Sequence, residues 1–427
     1  MSRAVVLFTR DLRTRDHPAL AAALRDHDEV IPLVVLDDRL LARSANRTAF
    51  LLDALGALRD GLGGALAVRH GDPAAEVSRL RAGWVYVTAD VGPYARARER
   101  RLAAVARVRA FPGNGVVEPG EVTPAGGDHY RVFTPYWRAW SAAPRREPAP
   151  PPPSLSLPAD VAPGELPDVR GLVACEPSPL LPRGGEPEGQ RRLAAFLEHG
   201  LRSYGELRDV PGVEGTSRLS PYLRFGCVSA LEVAERATAA GGDELVRQLA
   251  WRDFYRQLLA GFPRLAVEDY RPGDRRWSED PAALGAWKAG RTGIPIVDAG
   301  MRQLAAEGWM HNRVRLLAAS FLVKNLGIDW RAGAAHFDEL LVDGDPASNA
   351  GNWQWIAGTG TDTRPNRRFN PIRQARRFDP DGTYVRRHVP ELASLAAAEI
   401  HEPWRLGPLA LAQLGYPPPL VELPGAR

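Results

Sequence analysis

The segment DGDPASNAGNWQW sets two carboxylates, Asp343 and Asp345, and two amides, Asn349 and Asn352, before two indoles, Trp353 and Trp355. Short polar side chains cap helices and form turns, which accounts for one or two of these residues. A longer polar run leading into aromatics needs more, because buried polar groups require partners. A polar, planar, heteroaromatic ligand would satisfy both halves of the pattern. Three other clusters carry compatible chemistry. VEGTSRLSPYLRFG offers Thr216, Ser217, Arg218 and Ser220 after a glycine at a helix start, the makings of a phosphate cradle. QLAWRDFYRQL puts Gln248, Trp251, Arg252 and Tyr255 on one helical face. GWMHNRVRLL adds His311, Asn312, Arg313 and Arg315. No second histidine stands at metal-ligand spacing from His311, so a structural histidine and no metal site are expected.

The elements that must position these clusters change character near residue 125. Before it, the β-branched runs VVLF, VIPLVVLD, ALAVRHG, WVYVTAD and VRAFPG alternate with Ala/Leu/Arg-rich helical patterns. Such alternation predicts βαβ units and a parallel, Rossmann-like sheet over residues 1–125. The first strand runs into TRDLRTRDHPAL, which lacks the G-x-G-x-x-G turn of a dinucleotide site. Residues 126–187 read as an interdomain linker, and its stretch 141–168 is too proline-rich for helix or sheet and should be extended. From 188 to 427, apolar residues recur at spacings of three and four, which predicts an all-α domain. Most of the tryptophans fall there. Packing accounts for any single one of them.

A chain of 427 residues fits two domains, and 44% hydrophobic with 25% charged residues is ordinary globular composition. No apolar run is long enough to span a membrane, so a cytoplasmic protein is expected. Cys175 and Cys227 are too few for a disulfide framework. The net charge is +4 and Lys288 and Lys324 are the only lysines; arginines can grip phosphates bidentately, but on composition alone a general bias towards Arg and Ala accounts better for their number.

WRDFYRQL, GIPIVDAGMRQLAAEGWMHNRVRLLAASFLVKNL, DWRAG and DGDPASNAGNWQWIAGTGTD together resemble the FAD-dependent DNA photolyase and cryptochrome family. The likeness is strongest to its microbial cyclobutane pyrimidine dimer photolyases. LFTRDLRTRDHPAL and ADVGPYARARERRL are similar to the family's N-terminal antenna domain. The resemblance implies FAD in the helical domain, a deazaflavin or reduced folate as a possible antenna chromophore, UV-damaged DNA as partner, and a monomer. Carried over by position, Tyr204, Thr216, Ser217, Leu219, Ser220, Arg252, Asp343, Asp345 and Asn349 would contact FAD, with Asn349 facing the flavin N5. Gln248, Trp251, Asn312, Leu316 and Trp355 would hold the flipped lesion, and Arg208, Arg313 and Arg367 the DNA backbone. Trp353, Trp330 and Trp277 would relay electrons to photoexcited flavin, with Trp287 an alternative outer member.

This sequence departs from the family pattern in places. Gln248 stands where many dimer photolyases have glutamate, so it hydrogen-bonds but cannot donate a carboxylic proton. Glutamine there is also typical of six-four photoproduct photolyases. Those relatives usually carry two adjacent histidines where this chain has His311 and Asn312, which favours cyclobutane dimers. A cryptochrome-type light sensor is the other alternative; the short segment after HEPWRLG favours repair. Leu316 replaces a frequent methionine, a volume-conserving exchange. Cys227 has no assignable role.

Overall fold

The computed structural model describes residues 2–361 and 368–422. Five parallel strands, β1 (Arg3–Leu7), β2 (Glu29–Leu36), β3 (Ala67–His70), β4 (Trp84–Thr88) and β5 (Arg107–Phe111), form one sheet in the order β3-β2-β1-β4-β5. Each of the five β-branched runs supplies one of them. Their Val, Ile and Leu side chains suit a sheet covered on both faces. The order reverses between β1 and β4, and such a switch point opens a crevice at the carboxyl ends of the strands. Residues 8–13 leave β1 there and run to the helical half, where Leu12 N–H bonds the Phe225 carbonyl.

The interval expected to be a linker contains a helix, Phe133–Ala142. Its aromatics at 133, 136, 137 and 140 follow helical spacing, and Phe133, Tyr136 and Trp140 are buried. The proline-rich stretch that follows is extended, as its composition dictates. It is also docked: Val68 N–H donates to the Pro163 carbonyl (2.7 Å), and Arg69 donates to Ala162 (2.8 Å). Because β3 is an outer strand of the sheet, this strap covers an edge that would otherwise invite strand addition.

Beyond residue 186 the described elements are helices and turns. One hydrophobic cluster runs from Val6 and Phe8 of the sheet side through Phe50 to Tyr222, Phe225 and Phe254 of the helical side. Phe50 stacks on Phe225 with centroids 4.9 Å apart. The two halves therefore share a core instead of hinging on a tether. Cys227 is buried in that seam, and burial pushes its thiol up to about 12, so it acts as small apolar filler.

Candidate functional site

Residues of six helices line the larger cavity of the site. Asp243–Gly261 begins with Asp243 and Glu244, whose charges suit the positive end of the helix dipole. Leu245, Gln248, Leu249, Arg252 and Tyr255 recur along one side of it and line an open chamber of ≈ 1790 Å³. Opposite lies Pro346–Ala357, capped by Asp345, which accepts from Ser348 N–H at 2.9 Å, and stopped by Gly358 in the left-handed region (φ 77). Ser348, Asn352 and Trp355 face the chamber, Ser348 and Asn352 at its border with a narrower pocket, which Asn349, Trp353 and Ile356 wall. Each trio has the i, i+4, i+7 spacing of a helix stripe. The two indoles are thus sorted into two compartments by their two-residue offset.

The pocket and chamber are contiguous, sharing Asn312, Leu316, Asp343 and Asp345. A guest in the pocket would therefore lie directly against one in the chamber. The donor set fits a flavin dinucleotide: hydroxyls of Thr216, Ser217 and Ser220 on one wall, Asp343 and Asp345 on another, and Asn349 in the inner pocket. Asn349 donates Nδ2 to the Ala334 carbonyl (3.0 Å), which fixes its amide plane. Arg218 adopts φ 48, a strained value for a non-glycine residue, and stacks on Trp309 at 4.3 Å while pairing with Glu307 at 2.8 Å.

The structure brings together most of the residues singled out in the sequence. Tyr204, Arg208, Thr216, Ser217, Leu219, Ser220, Gln248, Trp251, Arg252, Asn312, Arg313, Leu316, Asp343, Asp345 and Trp355 all line the chamber. Trp251 lies flat on Phe133, with centroids 3.7 Å apart and planes 5° off parallel. Arg208 and Arg313 are paired with Glu244 (2.6 Å) and Asp209 (2.8 Å). Trp330 and Trp277 line neither compartment and pack in the core cluster that includes Trp353. Trp330 is buried with Nε1 on Asp269 (2.9 Å), whereas Trp277 is half-buried. Trp287 is fully buried and meets the Trp353 ring edge-on at 6.2 Å, so it does not offer a surface terminus. Arg367 lies outside the described residues.

Two residues without a predicted role belong to the site. Arg315 clamps Asp343 through both carboxylate oxygens (3.1 and 2.8 Å), and its place one helical turn below His311 was the available signal. Arg10 reaches the chamber from the end of β1, and nothing local marks it. Among the described residues no cluster could hold a metal, and no helix is long and apolar enough to cross a membrane.

His311 is structural. It caps the Asn312–Ser320 helix by accepting from Arg313 N–H (3.2 Å). Burial, with Arg315, Arg218 and Arg313 nearby, pushes its imidazole down to about 4, against an opposing pull from Asp209. A folded value below the unfolded one means the unfolded chain binds more protons in between, so stability is lost as pH falls from 6.5 towards about 4. The expected loss from this residue is about 3 kcal/mol at the acid end. Urea unfolding at the two ends of that interval should show it, and His311→Asn should flatten the slope; an unchanged slope refutes the assignment.

Residues 4–154 match the DNA photolyase domain and residues 245–427 the FAD binding domain of DNA photolyase. The chain is 51% identical over its full length to a deoxyribodipyrimidine photo-lyase of Streptomyces griseus, covering 98% of that protein. Its structure is similar to a bacterial class III photolyase from Agrobacterium tumefaciens, with TM-score 0.92, 36% identity, and 99% and 95% of the two chains covered. It is also similar to a Synechocystis cryptochrome, with TM-score 0.90, 29% identity, and 99% and 97% covered. With both halves matched in order and a full-length relative at this identity, the chain belongs to the DNA photolyase family.

Proposed function

We propose that this chain repairs cyclobutane pyrimidine dimers in DNA by light-driven electron transfer, acting as a deoxyribodipyrimidine photo-lyase. The carrying observation is the paired compartments: a chamber bearing Trp251, Trp355, Gln248 and Asn312 opens onto a pocket walled by Asn349 and Trp353. FAD bound there in its reduced form would supply light-driven, reversible one-electron transfer to the dimer. Thr216, Ser217, Ser220, Asp343, Asp345 and Asn349 would hold the cofactor.

The remaining work falls to the chain's own side chains. Chemistry on a base inside a duplex requires extrusion into a pocket whose walls replace lost stacking. Trp251, backed by Phe133, presents one free face to such a guest, and Trp355 closes the other side. Gln248 and Asn312 hydrogen-bond the pyrimidine edges. Arg208 and Arg313 exchange their carboxylate partners for phosphates. Both walls come from one chain, which supports a monomer as the working unit. An antenna chromophore of the deazaflavin or folate type would sit at the switch point between β1 and β4. Buried Thr9 Oγ1 and the Nε and Nη2 of Arg98 have no hydrogen-bond partner there among the described residues.

Glutamine at 248 favours a six-four activity, but His311 is buried and lines neither compartment, and Asn312 and Leu316 take the chamber wall. Blue light on the FAD-loaded protein should restore the absorbance of irradiated oligothymidylate and leave a six-four lesion intact. The reverse pattern, or no repair in light, overturns this reading. Trp355→Ala should weaken binding of dimer-containing DNA by about 1–3 kcal/mol, the value of one base–aromatic stack. Filter binding with damaged and undamaged oligomers measures it, and equal affinities would leave the indole a packing role only.

A further inference from the structure

The α/β half contributes a side chain to the chamber of the helical half. Arg10 emerges three residues past β1 and lines the chamber. Its Nη2 donates to Asp345, its Nη1 lies 3.4 Å from Asp90, and its Nε donates to the Arg224 carbonyl at 3.2 Å. The backbone is pinned as well. Gly226 ends the Ser220–Phe225 helix at φ 66, and a Cβ there would lie 2.0 Å from the Arg10 carbonyl oxygen. Only glycine permits that approach.

Asp345 makes the contact consequential. One carboxylate oxygen caps the Pro346–Ala357 helix through Ser348 N–H, and the other takes Arg10. That helix carries Asn349, Trp353 and Trp355. The Asp345 side chain is only 12% exposed. Stripped of Arg10, a buried carboxylate has to find water or a proton, and either response loosens the cap. A line of direct contacts thus runs from the sheet through Arg10 and Asp345 to the helix that walls both compartments.

We propose that Arg10 is a positioning residue of the flavin site, so that the α/β half sets how tightly the helical half holds FAD, whether or not an antenna chromophore is bound. The inference rests on the flavin reading of the chamber. Arg224 and Arg252 also stand near Asp345, but both belong to the helical half and cannot transmit the position of the sheet.

The test is FAD affinity of the full chain, titrated by flavin fluorescence well below the unfolding temperature, with the apo-protein melting point recorded beside it. Arg10→Met should raise Kd by roughly tenfold or more and alter the flavin absorption envelope, and Arg10→Lys should recover part of the loss. Arg146→Met breaks a different ion pair, to Asp16, whose carboxylate also bonds Ser229 in the helical half; it should lower the melting point and leave Kd unchanged. In the background of Asp345→Asn, Arg10→Met should have little further effect, because the link is already cut. The inference is overturned if Arg10→Met changes only the melting point, if Arg146→Met raises Kd equally, or if the Arg10 and Asp345 effects add. If Arg10→Met does not fold, Arg10→Lys alone and with Asp345→Asn gives the same cycle. A wild-type chain that takes up no FAD refutes the flavin reading itself, and this inference with it.

Discussion

Trp353→Phe should retain FAD and lose photoreduction of the oxidised flavin. The indole is buried against the inner pocket, edge-on to Phe337 at 5.0 Å and Trp287 at 6.2 Å. Gly333 lets the ring approach the neighbouring helix, since a Cβ there would lie 2.2 Å from it. Phenylalanine fits that slot with a small void and keeps the pocket wall apolar. Its benzene ring, however, is far harder to oxidise than indole, so a relay that starts at Trp353 would lose its first electron donor. Photoreduction under blue light with an external reductant should slow by roughly a hundredfold, about 3 kcal/mol on the barrier. Repair by protein whose flavin has been reduced chemically should survive, which separates the relay from the repair step. Trp287→Phe is the informative control: Trp287 touches Trp353 but has no exposed surface, so a route through Trp330 to half-buried Trp277 predicts near-normal photoreduction in that variant. An undiminished rate in Trp353→Phe would sink the relay.

The parts of this molecule that were legible in the sequence are those fixed by local pattern. β-branched runs became the five strands because a doubly covered sheet needs apolar side chains on both faces. On the Pro346–Ala357 helix, spacing alone separates Asn349 and Trp353 from Trp355. The helix Phe133–Ala142 is hard to tell from linker because it is short, contains Pro135 and runs straight into the proline-rich stretch. Proline in a first helical turn costs little, as the N–H it lacks would be unpaired anyway. Docking of the proline-rich strap on β3 could not be read, since it depends on which strand lies at the sheet edge. Arg10 was invisible for the same reason: its partner Asp345 is remote in sequence, and only the shared core brings them together. Arg315 was seen as a charge but not as the clamp on Asp343, a contact set by how two helices cross.

Asp253→Ala should cost the most stability of any single change at the seam. Asp253 stands two residues after Trp251 on the Asp243–Gly261 helix, nearly full burial on every side. Its Oδ2 accepts from Val116 N–H (2.9 Å), Val117 N–H (3.1 Å) and Trp140 Nε1 (3.0 Å). Arg252 and Arg256 flank Oδ1 at 3.6 and 3.7 Å. Burial pushes the carboxyl up from the usual carboxylate range while Arg256 and Arg252 pull it back. Alanine would strand three donors and leave Arg256 to Glu118 alone, a loss of about 3–5 kcal/mol by analogy with broken buried ion pairs. Asparagine keeps an acceptor oxygen for the three N–H groups and should lose less, so the urea midpoint of Asp253→Asn against wild type isolates the charge and that of Asp253→Ala against Asp253→Asn the acceptor. Trp140 and Phe133 share one helix, and Phe133 backs Trp251, so loosening the first should also slacken the lesion clamp. Asp253→Ala is therefore expected to weaken binding of dimer-containing DNA even at temperatures where the fold persists. If its affinity for such DNA stays at the wild-type value while its midpoint drops, Asp253 holds the seam together without holding Trp251 in place.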